Sequence, residues 1–585
     1  LLRDLAGEDP SLDGIDEPIH ERTGGNPFFI EEVVRELAEC GYLQGERGAY
    51  RLAKPIEDAG VPVSVQAVLA ARIDRLDPAA KHLLQVASVV GKEVSGEALS
   101  ITAGHDSETM ERALGELVEG GFLYEAEIYP ERVLAFRHPL TREVAYGTQL
   151  AEQRAATHAA AARALIELNP ADRWDELSAL IADHLRQGGE TLEAARWSAR
   201  AAYWAGHSRP REALRLWNDV TVLTDELDES DEEVAALAIH SRLQQLTYAF
   251  RIGIGAEEQE RLAAEAEKIA TERGDLHSLA LLRVATSVRP GLDHDAATWI
   301  ASVREAVDLA DRAGDRHLRV AVRSAGAFAY LMAGDFDAYE AALDEVLELV
   351  GDDGTVGANI ILGSPRAWGL MGKGMVRREK VEFDAAEKLF DRALQVAIEE
   401  DDPETASWVR SNQAGLMAFR GDPEAGLAIA RRNVELTDKL GDVFSRSLAF
   451  SNLSWAQLNS GDPEGSLESI EESERLYRET MDNGGEMAPW RAHLRSQALR
   501  ETGRVEEAVE AAEWAVEVSR DRGFLWTYPA ALLALSRALR AAGRPGSAEP
   551  LAEAERVARE TGAETLLLDI EADREQLGTG AGRGY

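Results

Sequence analysis

The chain has one cysteine, Cys40, in 585 residues. An intrachain disulfide is therefore excluded, as is a metal site built on several cysteines. Lysine is scarce, and arginine carries nearly all the basic charge, which points to a high-GC genome. Together they number 63 against 105 aspartates and glutamates, a formal net charge of −42. Nucleic-acid recognition needs clustered cations at the phosphates, so a nucleic-acid binder is not expected. Docking on anionic lipid is not expected either. No run of ~18 apolar residues is present, so no transmembrane helix is expected. No signal peptide opens the chain, and the cytoplasm is the expected compartment. The sequence starts Leu1-Leu2-Arg3 without Met and reads as part of something longer.

Catalytic motifs are lacking too. No Gly-x-x-x-x-Gly-Lys-[Ser/Thr] phosphate loop occurs. Gly372-Lys373-Gly374 comes nearest but lacks the upstream Gly and the magnesium-binding hydroxyl, and reads as a turn. No nucleophile elbow, His-Glu-x-x-His or cyclase metal-binding Asp pair is recognisable. The expectation is a chain without its own catalytic site and without a metal.

What is present is periodicity. A Gly-polar-acidic turn phrase recurs at Gly421, Gly461, Gly503 and Gly543. A second phrase falls between, at Gly314-Asp315, Gly351-Asp352, Asp401-Asp402 and Gly441-Asp442. Two turns per ~40 residues predict two helices per repeat. The Gly supplies a left-handed residue that ends one helix, and the Asp caps the next. Where the phrase degenerates, turns are expected near Gly206-His207, Gly253, Gly291 and Glu379. Trp455, Trp490, Trp514, Trp526 and Tyr528 read as core. Residues 191–575 resemble tetratricopeptide repeats of the longer type, about nine of them, with 576–585 a flexible tail.

Residues 1–190 differ. Thr23-Gly24-Gly25-Asn26 is turn chemistry, and Pro27 suits the first position of a helix running to about Cys40. Then come helices at Val65–Leu76, Pro78–Val90 and Glu108–Glu119, and two short strands at 122–126 and 132–136, around Tyr129-Pro130. Three helices and a hairpin make a winged-helix plan. Its third helix holds too many glutamates to read DNA.

Three phrases, Glu21–Glu32, Val61-Pro62 to Leu76, and Phe136 to Tyr146, occur in the order found in STAND-type signalling ATPases. The closest likeness is to multidomain class III adenylate/guanylate cyclases with an ATPase module. The resemblance implies a helical lid (1–60), a winged helix (61–150), a connector (151–190) and repeats, preceded in the parent by an ATPase/cyclase module that holds ATP or ADP with magnesium. The implied fold is mainly α, an α-α superhelix behind a small helical and winged-helix region. It further implies that Gly25-Asn26-Pro27 packs against adenine and that His138 touches the ADP β-phosphate. Pro27 as a plain helix start and His138 as a capping residue are the competing readings. The repeats are expected to form a groove, lined by the first helix of each pair, for a protein or peptide partner or a small effector. Arg410, Asn412, Gln413, Asn452 and Gln457 are its candidates. A stand-alone interaction scaffold and a transcription regulator of the maltose-activator type are the alternatives.

Overall fold

The computed structural model describes residues 1–55, 64–127, 129, 132–206, 209–252, 254–478 and 485–580. The expectations at Val61-Pro62, Pro130, His207 and Gly253, and the tail beyond 580, lie outside the described residues. The chain forms two compact units, Leu1–Ala201 and Ala202–Tyr585. The division falls within the continuous helix Thr191–Ala205 rather than at 190.

In the first unit Asn26 caps the helix Pro27–Glu39, its Oδ1 accepting from the Phe28 and Phe29 amides at 3.0 and 3.2 Å. That helix buries Phe29, Ile30, Val33, Val34 and Leu37 against Leu5, Leu12, Ile15 and Ile19. The spacing puts these side chains on one face of the helix. A second core gathers the helices Val65–Asp74, Pro78–Val90 and Ser107–Glu119 around Leu83, Leu84, Leu99 and Leu117. Two elements here escape a periodicity argument. A strand at Glu93–Ser95 and a helix at Gly96–Ala103 lie between the expected second and third helices. The strand is too short for alternation to show, and the helix, capped by Ser95 Oγ, has barely two turns. Glu93–Ser95 pairs antiparallel with Val133–Phe136, which also pairs with Leu123–Glu127, giving a three-stranded sheet.

Arg72 ties the two cores together. Its side chain is 1% exposed and paired with Glu32 and Glu39, and it donates to the Gly120 carbonyl at 2.8 Å. The guanidinium also covers the Phe122 ring. The helices Ala151–Leu168 and Trp174–Gln187 follow, joined through His158 and His184, whose Nδ1 atoms are 2.9 Å apart.

The second unit is an α-α superhelix of tetratricopeptide-like repeats. After Pro210–Asp225 the helices come in antiparallel pairs, among them Pro365–Glu379 with Phe383–Glu399, Pro403–Phe419 with Pro423–Leu440, and Val443–Asn459 with Pro463–Arg478. The turn chemistry explains the pairing. Gly421 and Gly441 take φ of 75° and 69°, and Asp402, Asp422 and Asp442 cap the helices that follow. At the degenerate turns other residues must adopt the same conformation, Val381 at φ 59° and Asp401 at φ 53°. Gly372-Lys373-Gly374 is not a turn; it lies within Pro365–Glu379. A Cβ at Gly372 would meet Leu343 at 2.5 Å, and one at Gly374 would meet Phe390 at 2.6 Å, so these glycines admit neighbouring helices. The last helix, Glu564–Gly580, runs past the boundary expected at 575.

The coil closes on itself. The Ala296 amide donates to the Arg522 carbonyl at 2.8 Å, and that of Trp526 to Met332 at 3.3 Å. Phe524 packs into the core of Trp299 and Met332. Thr565 Oγ1 donates to Glu379 Oε2 at 2.7 Å, so the last helix meets the middle of the array.

Candidate functional site

Closure of the coil leaves a cavity of about 920 Å³ inside the second unit, within the ~300–1,000 Å³ common for ligand pockets. Its wall is built mostly from the first helices of successive pairs, with the helix Ala256–Arg273, Trp299 of Ala296–Ala313 and the last helix. An aromatic ladder follows the repeat: Trp299 to Phe328, Phe328 to Trp368, Trp368 to Trp408 and Trp408 to Phe444, with ring centroids 6.2, 6.5, 5.3 and 6.0 Å apart. The indole N–H groups of Trp299, Trp368 and Trp408 donate to Ser287 Oγ, the Ser324 carbonyl and Ser445 Oγ, which fixes the ring planes. Trp455, Trp490 and Trp526 are half-buried and face the cavity rather than a sealed core, while Trp514 is 44% exposed.

Helical phase sorts the polar candidates. Trp408, Ser411, Asn412 and Phe419 share the inward face of Pro403–Phe419; Phe444, Leu448, Asn452 and Trp455 share that of Val443–Asn459. Asn412 and Asn452 thus line the cavity. Arg410, Gln413 and Gln457 do not, because they lie off that stripe. Gln413 donates to Asp391 of the neighbouring pair at 2.8 Å. Gln457 is buried and shares a 2.7 Å hydrogen bond with Ser469 of its own pair. Burial and the like charge of Arg432 hold the Arg410 guanidinium below its usual range.

Several wall residues gave no sequence signal as a group, since the chain brings them together from distant repeats. Arg378 donates to Asn412 Oδ1 at 3.1 Å and to Glu379 Oε1 at 2.9 Å, and Glu379 in turn accepts from Thr565. His493, Gln497 and Arg500 face inward from Ala488–Glu501 beside Trp490. Their i, i+4, i+7 spacing is the one signal that was there to be found. Burial pushes the His493 pKa down to about 4 and raises that of Asp569, which Arg537 opposes.

In the first unit His138 meets the helix that follows Gly25-Asn26. Phe28 and His138 stack, and Pro27 beside them is exposed. His138 caps Pro139–Gly147, its Nδ1 accepting from the Leu140 amide at 3.1 Å. That bond makes Nδ1 an acceptor and leaves Nε2 with no hydrogen bond among the described residues. Gly25, at φ 77°, supplies the left-handed residue that turns the chain into Asn26 and Pro27.

Among the described residues, no cluster of three or more His, Cys, Asp or Glu side chains is arranged to hold a metal, and no helix is long and apolar enough to cross a membrane. No protein-family model matches the chain. No curated protein matches it. Among solved structures it is similar to a Signal Transduction ATPase with Numerous Domains protein with a tetratricopeptide repeat sensor from Pyrococcus horikoshii. The identity is 13%, over 94% of this chain and 70% of that one, with a TM-score of 0.30. It is also similar to aspartyl phosphate phosphatase F of Bacillus subtilis, at 11% identity over 63% and 93% of the two chains and a TM-score of 0.38. A Rap protein complexed with Competence and Sporulation Factor gives 12%, 66%, 99% and 0.36 in the same order. Likeness at this level carries nothing across to this chain.

Proposed function

We propose that this chain is the sensor and regulatory region of a cytoplasmic signalling ATPase of the STAND type, with a nucleotide cyclase as the output of the parent protein. The repeats take an effector into the cavity, and the first unit faces the nucleotide-bound module upstream. The carrying observation is the cavity itself: about 920 Å³, aromatic along its wall, with a few placed polar groups. A peptide or small molecule matches that volume better than a folded partner, so the effector reading is preferred to a scaffold.

The order of helices and strands over Pro78–Phe136 supports a winged-helix reading of that segment, and its acidic helix Ser107–Glu119 argues against a DNA-reading role. The exposed Pro27 and the Nε2 of His138, without a hydrogen bond among the described residues, fit a face that meets adenine and phosphate. The magnesium and the hydrolytic chemistry belong to the upstream module. Binding in the cavity shifts the populations of the array between conformations and through them the state of the ATPase.

The test fills the cavity. Ala530 lies on its wall, and Ala530→Trp is expected to abolish retention of the effector that co-purifies with the chain, read by mass spectrometry, and its effect on ATPase or cyclase output of the parent protein. Retention and output both unaltered by Ala530→Trp, in a protein that still folds, would reject the reading.

A further inference from the structure

The charges on the cavity wall do not balance. Four arginines line it, Arg289, Arg378, Arg500 and Arg537, against six carboxylates, Glu260, Glu267, Glu379, Glu486, Glu501 and Asp569. Three of the arginines are already committed: Arg378 to Glu379, Arg500 to Glu501 and Arg537 to Asp573. Asp569 and Glu260 have no hydrogen bond or ion pair among the described residues, though both face the cavity. Arg378 and Arg500 each keep one buried guanidinium N–H without a hydrogen bond, but an anion there would compete with Glu379 and Glu501 for the same charge. A cationic ligand finds a carboxylate waiting.

The aromatic wall favours the same sign. The indoles of Trp455, Trp490 and Trp526 are half-buried and line the cavity. Rings in that setting attract a cation through their quadrupole, more strongly as water is excluded. Apolar area around the charge supplies the remaining attraction without selecting sign.

Resting on the effector reading above, we infer that the cavity is a site for an organic cation, a molecule with an apolar body and an onium charge, with Asp569 as its counter-ion and Glu260 adding to the negative field. Asp569 is exposed to the cavity; the protein around it raises its pKa while Arg537 lowers it, so a cation bound beside it adds to a field that Arg537 only partly offsets.

The probes are tetraphenylphosphonium and tetraphenylborate, near-isosteric ions of opposite sign, titrated against the full chain by calorimetry and tryptophan fluorescence. Tetraphenylphosphonium is expected to bind saturably and at least about tenfold more tightly than tetraphenylborate. Asp569→Asn is expected to weaken it about tenfold, and Glu260→Gln, at an exposed position that folding does not need, by a smaller factor. A thermal melt like that of the unaltered chain certifies each variant. Equal affinity for both ions, tighter binding of the borate, or affinity indifferent to both substitutions would overturn the inference. So would binding of neither ion. In that last case an effector retained by the chain and lost in Ala530→Trp would leave the effector reading standing, with only its assigned charge wrong.

Discussion

Phe28 and His138 lie face to face, their ring centroids 3.7 Å apart and their planes within 7° of parallel. The stack joins the helix after the Gly25-Asn26-Pro27 turn to the helix that His138 caps. Phe28→Ala is expected to destabilise the first unit by about 1–3 kcal/mol through lost burial and stacking. His138→Ala is expected to cost about 1 kcal/mol as a lost cap. A double-mutant cycle by urea denaturation should return a coupling of about 0.5–1.5 kcal/mol. Additive losses would show that the rings do not support each other.

Val381 holds φ 59°, where a β-branched side chain is strained by about 1–2 kcal/mol. Val381→Gly is expected to raise the stability of the second unit by about 1 kcal/mol despite the greater freedom of glycine when unfolded. A lower melting temperature for this variant would contradict the left-handed turn.

Arg72 holds Glu32, itself 3% exposed, and reaches the exposed Glu39 as well. Removing the cation leaves Glu32 with only the longer pair to Arg35, at 3.7 Å, so Arg72→Met is expected to cost about 3 kcal/mol, the low end for a broken buried pair. Adding Glu32→Gln to Arg72→Met should restore part of that loss. A double variant no more stable than the single one would show that packing, not charge, is what Arg72 contributes.

His158 and His184 give the first unit a pH dependence. Burial, and then the neighbouring His184, pushes the His158 pKa down to about 4, and burial lowers that of His184. In the unfolded chain both titrate near ~6.5. Between these values the unfolded state binds more protons, so stability falls as pH drops from about 6.5 towards 4. The slope reaches about 1.4 kcal/mol per pH unit for each proton taken up. His158→Gln should flatten the profile in that window. Denaturation midpoints independent of pH from 7 to 4 would exclude neutral, buried imidazoles.

The repeats were legible because their signals are local. A glycine that needs positive φ and an aspartate that caps the next helix sit side by side, as at Gly441 and Asp442, and recur at a fixed period. Asn26 and Pro27 were legible for the same reason. The Glu93–Ser95 strand was not, since its partner Val133–Phe136 is remote in sequence and three residues show no period. The site divided along the same line. Position on the first helix of a pair was readable from the turn order, but rotation about the helix axis was not, so Asn412 and Asn452 face the cavity while Arg410, Gln413 and Gln457 do not. Asp569 and Glu379 reach one wall only through closure of the coil, which no window of sequence contains.

That closure changes how the array must fold. Stacked repeats ordinarily touch only their neighbours, so they assemble by short steps from any starting point and tolerate loss of an end. Here Thr565 meets Glu379 across 186 positions. Contacts so distant add loop-closure entropy before they repay it and slow the last stage of folding. The second unit should therefore gather its repeats quickly and seal late. Deleting the final helix would remove the Thr565–Glu379 contact and leave the helical content nearly intact. Hydrogen exchange at the Ala296 and Trp526 amides would then report how far the rest of the seam depends on it.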